Sequence, residues 1–114
     1  MRNDHVVDLD AVAAEQARVA AASGAGRAGR TLFGGHDNRL RQTLIALTAG
    51  SQLKEHENPG EATVQVLSGQ VRLVGDSGDT REGAGGSLLV VPEERHLLDA
   101  IEDSVVLLTV GKRF

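Results

Sequence analysis

The side chains that could do chemistry are few in this chain and fall into two segments punctuated by glycine and proline. The first, Gly50 to Gly69, contains His56, Asn58, Pro59 and Glu61; the second, from Gly86, contains Pro92 and His96. Imidazole can take or give a proton near neutral pH and can ligate a metal, so two histidines in comparably punctuated segments are the first candidates for a site. The other histidines are read differently: His36 follows Gly34-Gly35 as an exposed loop residue, and His5 lies in a frayed terminus. There is no cysteine, which removes disulfides, thiolate metal sites and a cysteine nucleophile together. Ser51, Ser68, Ser87 and Ser104 sit at turns without the strand-turn-helix context of a nucleophile elbow. Arg27, Arg30, Arg39 and Arg41 could grip an anion through their guanidinium forks, or serve as a solvated face paired with some of the 16 acids. Glu61 could act as a base near His56, or be solvated at a strand start.

Gly24-x-Gly26-x-x-Gly29 matches the spacing of a dinucleotide-binding loop. That loop needs a strand before the glycines and a helix after them, so that helix amides face the pyrophosphate. Here the expected order is reversed, and no acid stands near Ala46 to Gly50 to hold a ribose. The stretch is read as a linker.

Whatever positions the histidines must be built from 114 residues, enough for one domain with a modest core. Aromatic content is 2 %, Phe33 and Phe114 alone, so the core must be aliphatic and there are no stacking platforms for bases. With a formal charge of −4, the basic footprint of a nucleic-acid binder is missing as well. No apolar run reaches a membrane span, and the acids of the N-terminal stretch oppose a signal peptide. A cytoplasmic protein is expected.

Residues 8–22 read as a helix capped by Asp8 or Asp10 and stopped at Ser23-Gly24. Its thin apolar stripe of Leu9, Val12, Ala13, Val19 and Ala20, interrupted by Gln16, suits a helix packed on the outside of something larger. From Thr31 the pattern changes to short apolar runs between turns: Thr31 to Phe33, Leu40 to Leu47, Ala62 to Leu67, Gln70 to Val74, Ser87 to Val91, Arg95 to Ile101 and Ser104 to Val110. In the second run Arg39 and Arg41 share one face and Leu40 and Gln42 the other, while Leu44 to Leu47 are apolar throughout, as in a strand buried on both sides. The runs at 62–67 and 70–74 are expected to form a hairpin about Ser68-Gly69, and those at 95–101 and 104–110 another about Glu102-Asp103. The division is residues 1–30, helix and Gly-rich linker, and residues 31–114, an all-β barrel or sandwich.

The punctuation of the two segments resembles the cupin superfamily over roughly Leu40 to Val110. That family's first motif runs Gly, His-x-His, Glu, Gly, and its second Gly, Pro-x-Gly, His. Gly50, His56, Asn58, Ala62 and Gly69 occupy the first pattern, and Gly86, Pro92, Glu94 and His96 the second. The resemblance implies an all-β cupin jelly-roll barrel, here with one N-terminal α-helix, and commonly a homodimer. It also implies a divalent metal (Fe, Mn, Ni or Zn) held by the motif histidines and glutamate. His56 and His96 match two ligand positions, the latter one residue early. Asn58 replaces a histidine, and Ala62 stands in the glutamate position with Glu61 beside it. Zinc sites usually take at least three protein ligands and non-haem iron adds a carboxylate to two histidines, so this donor set is thin.

Three functions follow. The first is a barrel of little or no catalytic power that holds a small molecule, with His56, Asn58, Val64, Val66 and His96 around the pocket and Val71, Leu89 and Val91 completing an aliphatic wall. The second is a metal-dependent oxygenase or isomerase using His56 and His96. The third is a sensing or assembly module in which the helix caps the barrel or swaps onto a partner.

Overall fold

The structure is a computed structural model and describes residues 6–54 and 60–113. One helix, α1 (Leu9–Ala22), precedes nine strands: β1 (Arg27–Phe33), β2 (Leu40–Leu47), β3 (Gln52–Lys54), β4 (Gly60–Ser68), β5 (Gln70–Gly75), β6 (Thr80–Ala84), β7 (Leu88–Val90), β8 (His96–Ala100) and β9 (Ser104–Lys112). They form a five-stranded sheet in the order β1-β2-β9-β4-β7 and a four-stranded sheet in the order β3-β8-β5-β6. Every pairing is antiparallel. The two sheets face each other over one aliphatic core. Ile45, Leu47, Val64, Val66, Leu89, Val106 and Val110 come from the larger sheet, and Val71, Leu73, Leu98 and Ala100 from the smaller. This is the expected all-β barrel with a single helix.

Strand β2 shows why its second half is apolar on both faces. Ile45 and Leu47 enter the core between the sheets, whereas Leu44 and Ala46 enter a second cluster with Val12, Ala20 and Val105 beneath α1. The helix therefore lies on the outer face of the larger sheet, as its thin stripe implied, and not over an end of the barrel. Asp8 caps it by accepting from the amide of Ala11 at 3.1 Å. The stripe itself is corrected: the buried positions are Val12, Gln16 and Ala20, four residues apart, and Val19 is half exposed. Gln16 joins the stripe by burying its stem while its amide donates to Glu15 Oε1.

Other expectations change with the pairing. Residues 27–30, read as linker, are the first half of β1, hydrogen-bonded along β2. The short strands β3 and β6 carry too little apolar pattern to stand out; β6 is Thr-Arg-Glu-Gly-Ala on a sheet edge. Neither expected hairpin is one. Strand β4 pairs with β7 and β9, and β5 with β6 and β8, so the chain crosses between sheets at Ser68–Gln70. It crosses again between β8 and β9.

The two crossings are tied together. Ser104 Oγ accepts from the amide of Gln70 at 3.0 Å and donates to the carbonyl of Glu102 at 2.7 Å, and the Ile101 amide donates to the Gln70 carbonyl at 2.9 Å. Gly69 takes φ +87°, and a β-carbon there would stand 2.3 Å from the Asp103 carbonyl oxygen, so only glycine permits the approach. These turns close one end of the barrel, beside Leu47.

Candidate functional site

At the opposite end the strands carry different side chains. His96 opens β8 and pairs across to Gly75 of β5. It is 7 % exposed. Its Nδ1 lies 3.0 Å from the Glu94 carbonyl oxygen. A carbonyl only accepts, so Nδ1 carries the proton and, in the neutral ring, Nε2 keeps its lone pair. Nε2 has no partner among the described residues. A ring held through one nitrogen with the other uncommitted is the arrangement a ligating or hydrogen-bonding histidine requires.

Inward from His96 lies a void lined by Ile45, Leu53, Val64, Leu73, Val91, Leu98, Val106 and Leu108. Its free volume is about 10 Å³, room for at most one water molecule. Val64 lines it together with His96. Val66 is fully buried within the same core and does not line it. The aliphatic wall is thus packed on itself, and a bound molecule would rest at the rim. Outward from His96 is an open depression lined by Lys54, Val74, Gly75, Asp76, Arg95 and Leu97.

His56 and Asn58 lie outside the described residues, as does Pro59. The strands on either side of them place their attachment at this end: β3 finishes at Lys54, opposite Leu97, and β4 begins at Gly60, opposite Lys112. Ala62 is buried on the interior face, and Glu61 is exposed on the exterior one, so the glutamate position of the motif is filled by a methyl group and its acidic neighbour faces away. Among the described residues no three His, Asp or Glu side chains are grouped to hold a metal. Of the four motif positions only His96 both lies within the described residues and carries a donor, so these residues do not by themselves fit a metal ion.

The four arginines separate clearly. Arg30 pairs with Glu15 of α1 at 3.4 Å, and Arg27 donates to the Gln52 carbonyl. Arg39 and Arg41 have no ion-pair partner among the described residues. His36 is exposed, its carbonyl accepting from Lys112 Nζ at 3.2 Å. Ser104, expected at a turn, is a buried structural hydroxyl. Among the described residues no helix is long and apolar enough to cross a membrane.

No family model and no curated protein matches the chain. Solved structures do. A conserved protein of unknown function from Streptococcus pyogenes is 32 % identical, with 81 % of this chain and 79 % of that chain covered and a TM-score of 0.70. An RmlC-like cupin protein from Desulfovibrio desulfuricans is 25 % identical over 75 % of this chain and 81 % of its own, TM-score 0.64. A cupin superfamily protein from Desulfitobacterium hafniense is 17 % identical over 76 % and 78 %, TM-score 0.67. The sheet orders, the sheet-crossing turns and these likenesses agree on one conclusion: the chain has the fold of the cupin superfamily.

Proposed function

We propose that this protein is a cytoplasmic binding protein, not an efficient enzyme, that holds a small molecule at the open end of its barrel, with His96, Val64 and the segment carrying His56 and Asn58 around it. The observation that carries the reading is His96: a buried imidazole, fixed through Nδ1, whose Nε2 is uncommitted between an aliphatic interior and an open rim. Ala62 in the glutamate position supports a binding role over metal chemistry. The site is tested by thermal-shift and calorimetric screening of small acids, alcohols and sugars. His96→Ala is expected to remove binding of whichever compounds stabilise the wild type. Turnover of any of them in the presence of Fe, Mn, Ni or Zn, abolished by His56→Ala, would overturn the reading.

The uncommitted Nε2 also favours a second reading, a metal-dependent oxygenase or isomerase using His56 and His96. Stoichiometric metal in untagged protein, lost in the His56→Ala/His96→Ala double variant, would establish it. The protein is proposed to act as a homodimer. Exposed Phe33 and Leu40, with Val7 and Leu9 beside them, and Leu88 and Val90 on edge strand β7, supply apolar surface for that contact. Light scattering should give twice the chain mass.

A further inference from the structure

We infer that the open end of the barrel selects a small organic carboxylate, with Arg41 as the residue that holds it; this rests on the reading that a small molecule binds there beside His96. The inference starts from the register of β2. Leu40 to Leu47 pairs with Gly111 to Ser104 without a shift, so its side chains alternate strictly. Ile45 and Leu47 lie in the core between the sheets, and Leu44 and Ala46 lie beneath the helix. Thr43 and Arg41 therefore take the interior face. Arg41 is level with Val110, which is level with Ala62, and both of those are buried interior residues. An arginine thus stands on the inner face of a largely aliphatic barrel, at its exposed rim.

It stands at the same end as His96. Ala100, at the far end of β8, is bonded to Gly50 and Ser51, just beyond the Leu47 end of β2, which leaves His96 toward the Arg41 end. Leu108 joins the two: it is level with Thr43 and lines the void with His96.

Four other arginines have carboxylate partners, while Arg18, Arg39 and Arg95 have none among the described residues. Arg30, Arg72, Arg81 and Arg113 pair with Glu15, Glu82, Asp79 and Glu93. Arg41 has none among the described residues, and of the described acids toward this end Glu61 is on the outer face and Glu94 accepts from Ser77 Oγ at 2.7 Å. Asp76 flanks His96 on the outer side of the rim. A guanidinium fork without a protein carboxylate is matched in geometry by the carboxylate of a ligand. Thr43, half-buried and about 7 Å further in, adds a hydroxyl, and beyond it Ile45 begins the aliphatic wall. The 10 Å³ void leaves no depth for a long chain, so the acid is short. His96 Nε2 can accept from a hydroxyl on it, which favours a hydroxy acid over a plain one.

The test is calorimetry at 0.15 M salt with L-malate, succinate and the neutral succinamide, on wild type, Arg41→Gln, Arg41→Lys, His96→Ala and the exposed control Arg18→Gln, with unfolding midpoints measured on each. Wild type should bind L-malate more tightly than succinate and succinamide least. Arg41→Gln should weaken L-malate about tenfold or more, Arg41→Lys should restore part of this, and Arg18→Gln should change nothing. Unchanged acid affinity in Arg41→Gln, or succinamide binding as well as succinate, overturns the selectivity while leaving a His96-dependent site intact. Binding of none of the three overturns the selectivity; if the wider screen of alcohols and sugars also fails, the binding-site reading falls with it.

Discussion

At one end of the barrel Leu47, Val71 and Ala100 pack beneath two crossing turns that Ser104 ties together; at the other, the same strands present Arg41, Thr43 and His96 around a rim. The polar groups at the first end satisfy one another. Ser104 Oγ bonds backbone of both turns, and Gly69 allows contact no side chain would permit. At the second, Arg41 and His96 Nε2 have no partner among the described residues. The first end is closed by hydrogen bonds within the chain, whereas the polar groups of the second are left to solvent or to a ligand.

That comparison is broken or sharpened by substitution along β2 and β9. Leu47→Ala should have the largest effect, a loss of about 2–5 kcal/mol in denaturant unfolding, because Leu47 is 2 % exposed in the core. Ser104→Ala should cost about 1–3 kcal/mol, since the Gln70 amide loses its acceptor at a 4 % exposed site. Arg41→Gln should change stability by no more than about 0.5 kcal/mol, because it removes a fork that touches no described partner. A loss of more than about 2 kcal/mol in Arg41→Gln would mean that the rim is structural and that the two ends do not differ as described.

Much of the fold is legible in the amino-acid sequence, for identifiable reasons. The helix follows from its cap and alanines, and β2 from an apolar run too long for one face. The glycine and proline punctuation indicates the family. What the sequence conceals is partnership. Strands 62–67 and 70–74 are neighbours with a glycine between them, which resembles a hairpin, and only the tertiary pairing of β4 with β9 and of β5 with β8 reveals a crossing. Gln16 escapes notice because its aliphatic stem, not its polarity, decides its burial. At the site, Arg39 and Arg41 visibly share a face, but which face points inward depends on where α1 lies. His96 and Val64 are brought together at the void; His56 and Asn58 fall outside the described residues.

The position of β9 has a consequence for how the chain is made. It is the middle strand of the larger sheet, hydrogen-bonded to β2 on one side and β4 on the other, yet it is the last of the nine described strands to be made. Until it emerges, β2 and β4 have no shared neighbour, Leu44 awaits Leu107, and the apolar floor beneath α1 lacks Val105. The larger sheet can therefore be completed only once β9 has been made, through contacts distant in sequence that are slow to form. In that interval the edges of β2 and β4 are open to other chains, which makes delivery of β9 the step at which folding and aggregation compete.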